Sequence, residues 1–324
     1  MGDPAGVGPA ITIEAWKQLR SDDTSAFFVV GPAEVYEQFF PVRRISKPSD
    51  ALDVFAGDLP VLAMDAMPVP RPGKPETQTA AAIVDSIRLA TSLCLAGKAV
   101  GMVTNPINKA LLYGTGFAYP GHTEYVASLC EAHTGTPLKP VMLLTGGGLR
   151  VALATIHIPL REVSGRLTAD KLIELGRIVH QAMQTDFGIP APRIAFTGLN
   201  PHAGEAGTIG TEEAEIINPA AAALRAAGID MSDARSADTV FAEALTGRFD
   251  AVIAMTHDQG LIPVKTLDFW GGVNSTLGLP IVRTSPDHGT GYEAAAEGSA
   301  RADSLIAAIR LARLMADNRK AATA

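Results

Sequence analysis

The sequence predicts an α/β protein with a largely parallel sheet, and three observations favour this class. Short apolar runs alternate with segments of helical periodicity along most of the 324 residues. The apolar runs are continuous rather than alternating, as in strands that are buried on both faces. A chain of this length is too long for one ordinary core and fits two domains of roughly 150 residues each.

Six apolar runs are predicted as strands and four longer segments as helices. The strand runs are residues 26–30, 99–104, 141–145, 151–156, 193–197 and 251–256. The helical pattern is clearest over residues 168–183, where Leu172, Leu175 and Val179 form one apolar stripe behind a candidate N-cap, Thr168. Ala-rich stretches at residues 76–95, 212–227 and 293–315 complete the predicted helices.

Composition and charge exclude several classes of protein. Apolar residues make up 47% of the chain and charged residues 19%, which predicts a sizeable core and argues against disorder. The formal net charge of −7 argues against binding to nucleic acid or to an anionic membrane through bulk charge. No run approaches the ~20 apolar residues that span a bilayer. Cys94 and Cys130 match neither a disulfide framework nor a zinc site, and Met1–Pro4 does not begin a signal peptide, so we expect a cytoplasmic protein.

Three histidines follow predicted strands. His157 comes directly after the run at 151–156, His202 lies five residues beyond the run at 193–197, and His257 follows the run at 251–256. Ligands of α/β sheets bind at the carboxyl ends of strands, and three neutral imidazoles could hold one divalent cation with positions left open for substrate. The alternative for each is a hydrogen-bonded structural histidine. Asp238 is either a helix cap or an acid or base near the metal.

Two segments are candidates for binding an anion. Lys265, Asn274 and Arg283 are spaced nine residues apart, and a phosphate group on a substrate would need such a local cationic cluster because the chain is acidic overall. His122 and Thr123 follow a Pro-Gly turn and open a predicted helix, whose first backbone N–H groups favour anions. The alternatives are solvated surface charges and a plain helix cap.

Seven motifs, in this order along the chain, resemble the 4-hydroxythreonine-4-phosphate dehydrogenase family of pyridoxal phosphate biosynthesis. They are GDPAGVGP (2–9), TNPINK (104–109), PGHTE (120–124), TIHIPL (155–160), LNPHAGE (199–205), HDQG (257–260) and DHGT (287–290). The resemblance runs from residue 2 to about residue 312. It implies a two-domain fold like that of isocitrate and isopropylmalate dehydrogenases, with mostly parallel sheets around a central cleft, and not a Rossmann fold. The implied domains are residues 1–125 with 275–324, and 126–274, the second carrying the dimer interface.

The resemblance also implies roles for the candidate site residues. It assigns a divalent cation (Zn, Mg or Co), shared between the two subunits of a homodimer, to His157, His202 and His257. It assigns Asp238 to the reacting centre. It also implies one set of residues for binding the substrate and, as a looser match, a second set for binding NAD or NADP. These are His122, Thr123, Lys265, Asn274 and Arg283 for the substrate, and Asp287, Gly289 and Thr290 for the cofactor. Family members usually begin with an apolar strand before the glycine loop, whereas this chain begins on the loop, so one sheet is expected to differ there.

The implied reaction is the NAD- and metal-dependent oxidation of 4-phosphohydroxy-L-threonine. Its product, 2-amino-3-oxo-4-phosphooxybutanoate, decarboxylates to 3-amino-2-oxopropyl phosphate. The alternative is a paralogous dehydrogenase that acts on 4-phospho-threonate, 4-phospho-erythronate or a dihydrodiol carboxylate, and a remote one is a phosphate acyltransferase. Lys265, Asn274 and Arg283 favour a phosphorylated substrate, while the three strand-end histidines argue against the acyltransferase.

Overall fold

A computed structural model describes residues 1–114 and 116–323 and shows an α/β protein. Its α-helices are α1 (Gly8–Leu19), α2 (Glu34–Glu37), α3 (Asp50–Val54), α4 (Ala80–Leu95), α5 (Lys109–Tyr113), α6 (His122–Thr134), α7 (Val163–Arg166), α8 (Ala169–Thr185), α9 (Asn218–Ala226), α10 (Val240–Leu245), α11 (His257–Leu267), α12 (Tyr292–Glu297) and α13 (Asp303–Thr323). Among the described residues, no helix is both long and apolar enough to span a membrane.

The strands belong to two compact units. They are β1 (Val29–Gly31), β2 (Val42–Ile45), β3 (Leu59–Ala63), β4 (Met102–Val103), β5 (Val141–Gly146), β6 (Leu149–Leu153), β7 (Ile194–Thr197), β8 (Met231–Arg235), β9 (Ala251–Ala254), β10 (Val273–Leu277) and β11 (Arg283–Pro286). Unit 1 consists of Met1–Pro140 and Leu279–Ala316, and unit 2 consists of Val141–Gly278 and the end of α13 from Asp317. The domain bounds predicted above are 125/126 and 274/275, whereas the units divide at 140/141, 278/279 and 316/317.

Unit 1 contains parallel strands and two apolar cores. Strands β1, β3 and β2 form a three-stranded parallel sheet in that order, and β4 pairs in parallel with β11. One core surrounds Trp16 of α1, which is fully buried and donates a hydrogen bond from Nε1 to the Phe55 carbonyl oxygen. The other core packs α4 against α6 around Ile83 and Val126.

An apolar cavity of about 680 Å³ lies inside unit 1, next to the amino terminus. Val29 and Val30 of β1 and Met102 and Val103 of β4 line it. The amino-terminal ammonium of Met1 donates a 3.0 Å hydrogen bond to the Val30 carbonyl oxygen. Burial lowers the pKa of this amine from 8.0 to about 5. Two strands of unit 1 therefore border the place where the glycine loop begins.

Unit 2 is built on a mixed sheet with the strand order β10-β5-β6-β9-β7-β8. Strands β6, β9, β7 and β8 run parallel, while β5 is antiparallel to both of its neighbours. A two-residue turn at Gly147 and Gly148 joins β5 to β6, and both glycines have positive φ, as this type of tight hairpin requires. The predicted parallel class is confirmed for most of the strands, and this hairpin accounts for the main exception.

Helix α11 packs closely on the unit 2 sheet because Gly260 carries no side chain. A Cβ at that position would lie 2.4 Å from the Cδ2 atom of Leu153, so any larger residue would push the helix away. The side chains of Leu144, Val151 and Val264 form the core beneath the helix. Residues on the opposite pleat face, such as Leu143, are fully buried as well, which explains the continuous apolar runs in the sequence.

All six predicted strand runs contain a strand, and all four predicted helical segments contain a helix. The Thr168 side chain caps α8 by accepting a hydrogen bond from the Lys171 amide. The stretch at 293–315 divides into α12 and α13 because Gly298, with φ of +68°, ends the first helix. The stretch at 212–227 begins with a π-helical turn, Glu213–Ile217, before α9. Strands β2, β3, β8, β10 and β11 were not predicted.

Candidate active site

The three candidate histidines follow the carboxyl ends of three neighbouring parallel strands in unit 2. His157 lies four residues beyond β6, His257 is the first residue of α11 after β9, and His202 lies in the loop after β7. Strand β9 pairs in parallel with both β6 and β7. All three histidines therefore follow strands whose carboxyl ends lie on the same side of the sheet, and α/β proteins bind ligands on that side.

The imidazole rings of His157 and His257 are adjacent. Their centroids lie 5.6 Å apart with an angle of 43° between the planes. The Nδ1 atom of His257 lies 2.8 Å from Oδ1 of Asp258, which orients the ring and directs Nε2 away from that carboxylate. A carboxylate on one ring nitrogen is the usual arrangement behind a metal-binding histidine. The chemistry of this pair fits a divalent cation.

His202 lies in a segment of unusual backbone conformation. Residues 202–206 all have positive φ, between 41° and 80°, and only Gly204 among them is a glycine. His157 also has a positive φ, of 31°. Such conformations cost L-residues about 1–2 kcal/mol each and occur mainly where function requires them. Contacts with surrounding residues must therefore stabilise this loop in its strained conformation.

The buried carboxylate of Glu213 anchors the start of that loop. Its Oε1 accepts hydrogen bonds of 2.8 Å from the backbone N–H groups of Leu199 and Asn200, and its Oε2 accepts one from the Asn200 side chain. Glu213 is 4% exposed, so these bonds compensate for removing a charge from water. Sequence analysis did not identify this anchoring role of Glu213.

Asp238 precedes α10 but is not its N-cap, because the helix begins at Val240 with Thr239 in the cap position. The Ser236 hydroxyl donates a hydrogen bond to its carboxylate. This bond, with a smaller electrostatic contribution from His202, lowers the pKa of Asp238. The carboxylate is therefore ionised at neutral pH, and it lies close enough to His202 to interact with it electrostatically.

One chain does not assemble a complete three-ligand centre in the part that the structure describes. Across residues 1–114 and 116–323, no group of three His, Cys, Asp or Glu side chains is arranged to hold a metal ion. The structure brings His157 and His257 together, and it places His202 near Asp238. Their donor chemistry fits a metal, but their arrangement among the described residues of one chain does not complete a site.

A second cluster of candidate residues lies in unit 1, at the start of α6. His122 and Thr123 are the first two residues of this helix, as predicted, and Gly121 before them provides no side-chain cap. Burial lowers the pKa of His122 well below its ordinary value, and the charge of Arg283 lowers it further. The Nε2 atom of His122 is shielded from solvent and has no hydrogen-bond partner among the described residues. Neutral His122 and the first N–H groups of α6 are therefore suited to meet an anion.

Arg283 is a buried strand residue and not the surface charge that was the alternative. It is 4% exposed on β11, and its Nε and one terminal nitrogen donate to Thr104 Oγ1 at 3.2 and 2.7 Å. Burial lowers the pKa of its guanidinium to about 10, so it stays charged at neutral pH. Thr104, which sequence analysis did not single out as a site residue, fixes the orientation of this side chain.

Lys265, Asn274 and Arg283 lie on three different elements. Lys265 lies on α11 with its ammonium 5.6 Å from the centroid of the Phe269 ring, and Asn274 lies on β10. Both are in unit 2, whereas Arg283 is in unit 1. The spacing of nine residues therefore spans a helix and two strands.

The loop of Asp287, Gly289 and Thr290 packs against the glycine loop at the start of the chain. The Val7 amide donates a 2.9 Å hydrogen bond to the Thr290 carbonyl oxygen. Just beyond it, the Tyr292 hydroxyl donates a 2.5 Å bond to Asp3 Oδ2. Burial, together with this carboxylate, raises the pKa of Tyr292 to about 12. The two glycine-containing segments thus support one another in unit 1.

The comparison with protein families is decisive. The pattern of the family described as "Pyridoxal phosphate biosynthetic protein PdxA" matches residues 23–312. The chain belongs to this family. The 4-hydroxythreonine-4-phosphate dehydrogenase of Caulobacter vibrioides is 48% identical over 98% of this chain and 96% of its own length. The protein of the same name from Methylorubrum populi is 46% identical over 98% and 93%.

Solved structures agree with the PdxA assignment. A crystal structure of 4-hydroxythreonine-4-phosphate dehydrogenase from Klebsiella pneumoniae superposes with a TM-score of 0.83 at 36% identity, over 98% of each chain. A terephthalate 1,2-cis-dihydrodiol dehydrogenase from Burkholderia xenovorans gives a TM-score of 0.64 at 27% identity, over 97% of this chain and 96% of its own. The family resemblance and the predicted fold class are therefore confirmed for this PdxA-family chain.

Proposed function

We propose that this chain is a 4-hydroxythreonine-4-phosphate dehydrogenase that depends on NAD and a divalent metal. The observation that carries the proposal is the delivery of three imidazoles by the neighbouring parallel strands β6, β9 and β7 in a member of the PdxA family. His157, His202 and His257 would hold the cation. When bound, a divalent cation stabilises the negative charge that develops on the substrate oxygen.

In the proposed reaction, the C3 carbinol of 4-phosphohydroxy-L-threonine is oxidised. The proposed cofactor loop, with Asp287, Gly289 and Thr290, would hold NAD, which when bound would supply the acceptor for the hydride that leaves C3 as the carbinol becomes a ketone. The hydroxyl proton leaves to a base, and Asp238 is the candidate because its carboxylate lies near His202, one of the proposed metal ligands. The β-keto acid product then loses carbon dioxide to give 3-amino-2-oxopropyl phosphate.

The phosphate is assigned to a group of residues in unit 1. Arg283 and the start of α6 offer a guanidinium, neutral His122 and N–H groups to a phosphate dianion. Lys265 and Asn274 remain proposed substrate contacts from unit 2. Asp287, Gly289 and Thr290 remain the proposed cofactor loop, and NAD is proposed ahead of NADP.

A direct assay tests this function against its nearest rivals. The purified protein is supplied with NAD or NADP and with 4-phosphohydroxy-L-threonine, 4-phospho-threonate, 4-phospho-erythronate or terephthalate dihydrodiol, and reduced nicotinamide is followed by absorbance. We expect the first substrate with NAD to give the highest kcat/KM, and treatment with a chelator to abolish turnover until a divalent cation is restored. Faster turnover of another substrate would replace the proposed one, and full activity after metal removal would exclude the metal.

We also propose that the metal site is completed by a second copy of the chain. The support is that the described part of one chain brings no three such ligands together. Three variants are prepared, each with one substitution: His157→Ala, His202→Ala or His257→Ala. They are then mixed two at a time and refolded so that the subunits exchange. A random mixture contains about half mixed dimers with one complete site each, so activity recovers to at most about one quarter.

The shared site predicts recovery in the pairings whose two ligands come from different subunits. The pairing that stays inactive identifies the two histidines that one subunit contributes. The shared site would be contradicted if mixed dimers formed in all three pairings and none was active. A fully active monomer would contradict it as well.

A further inference from the structure

The segment Thr104–Lys109 has no assigned role in the proposed reaction. It nevertheless contacts the residues proposed to bind the phosphate in unit 1, which are called the anion cluster here and consist of His122, Thr123 and Arg283. At one end, Thr104 Oγ1 accepts the two hydrogen bonds that orient the buried Arg283 guanidinium. At the other end, the Asn108 side chain caps α5 by accepting bonds from the Ala110 and Leu111 amides. This cap fixes Lys109 as the first residue of α5.

The side chain of Lys109 crosses the start of α6. A Cβ added to Gly121 would lie 3.2 Å from Lys109 Cε and 3.5 Å from its Nζ. Gly121 has a φ of 179°, an extended conformation that any residue adopts, so the glycine matters here for the space it leaves. The Lys109 charge also reaches His122, whose pKa is lowered by burial, then by Arg283 and the amino terminus, and then by Lys109.

The charges around this point favour an anion. Among the described residues whose charges are recorded at this position, Lys109 and Arg283 are cationic, and Glu124, whose Oε2 would lie 3.4 Å from a Gly121 Cβ, is anionic. The first N–H groups of α6 add partial positive charge. The shielded Nε2 of His122, which lacks a partner among the described residues, independently indicates a missing polar ligand.

We propose that Lys109 is a further substrate-binding residue, whose ammonium contacts the phosphate group at the start of α6. Arg283 is fixed in a strand, whereas Lys109 is exposed on a short helix and can follow the ligand as it enters. The substrate identity rests on the proposed function, but the phosphate contact does not.

Phosphate binding can be measured without turnover, which separates this inference from the proposed function. Inorganic phosphate is titrated by calorimetry into the unaltered protein, Lys109→Ala, Lys109→Arg and the control Lys98→Ala, which removes another exposed lysine of unit 1. We expect Lys109→Ala to weaken phosphate binding about three- to tenfold, Lys109→Arg to restore most of it, and Lys98→Ala to bind normally. The same Lys109→Ala change should raise the KM for the phosphorylated substrate and leave the KM for NAD unchanged.

Gly121→Ala provides a second variant that keeps the lysine. Its methyl group would displace the Lys109 side chain, so phosphate affinity should fall while the fold, checked by thermal unfolding, is retained. Equal phosphate affinities for Lys109→Ala and Lys98→Ala, or no phosphate binding by the unaltered protein, would overturn the inference. Weakened binding in a protein that does not oxidise 4-phosphohydroxy-threonine would uphold it and reject only the proposed function.

Discussion

The histidine cluster of unit 2 and the anion cluster of unit 1 are maintained by different physical means. In unit 2, His157 and His202 are exposed, and their backbones adopt strained positive φ angles. In unit 1, the backbone at His122 is ordinary helix, but Arg283 and the His122 ring lose water, and their pKa values fall. In unit 2, the candidate histidines are thus held by a strained backbone. In unit 1, the candidate charged residue is held in a buried position. The two clusters should therefore respond to different perturbations.

The largest effect is expected from removing a histidine of unit 2. His157→Ala, His202→Ala or His257→Ala should each abolish bound divalent cation and nearly all activity, because each removes a proposed metal ligand. Since His157 and His202 are exposed, the fold should survive, as circular dichroism would verify. Elemental analysis of the purified variants measures the metal. A variant with full metal content would remove that histidine from the ligand set.

Loss of the Arg283 guanidinium should have a smaller effect, specific for phosphate. Arg283→Ala removes charge-assisted hydrogen bonds worth about 1.5–3 kcal/mol, which corresponds to a rise in KM of roughly tenfold or more. Arg283→Lys should recover only part of this, because an ammonium cannot both reach Thr104 and present a planar fork. Steady-state kinetics with phosphorylated and dephosphorylated substrate test the origin of the loss. Equal losses for the two substrates would show that Arg283 does not bind the phosphate.

The smallest effect should come from relieving strain in the His202 loop. Ala206 is exposed with φ of 56°, so Ala206→Gly removes left-handed strain and should stabilise the protein by up to about 1 kcal/mol. Ala223→Gly, at an exposed position in the regular helix α9, is the matched control and should destabilise by about 1 kcal/mol. Chemical unfolding compares them. Destabilisation of similar size in both variants would mean that the loop stores no strain.

Sequence reasoning was most successful where one local pattern determines the structure. Continuous apolar runs identified β5, β6, β7 and β9 because these strands are buried on both faces. The same reasoning missed β10 and β11, whose sequences VNSTL and RTSP contain few apolar residues. Their polar side chains are nevertheless mostly buried, because hydrogen bonds such as that of Thr284 to the Ala308 carbonyl compensate for burial.

The candidate site was predictable in residue type but not in arrangement. The histidines could be placed after strands, since a strand and the residue that follows it are neighbours in sequence. The orientation of Arg283 by Thr104 and the anchoring of Asn200 by Glu213 could not be foreseen. These contacts join residues that are distant in sequence, and only the folded chain brings them together.

The discontinuity of unit 1 bears on how the chain is made. Strand β4 at Met102 pairs with β11 at Arg283, and all of unit 2 up to Gly278 is translated between them. At about 5–20 residues per second, the ribosome needs on the order of ten seconds to add the intervening segment. During that interval β4 lacks its partner strand, while unit 2 can already fold. Nascent chains paused before β11 would thus expose an unpaired strand edge to chaperones.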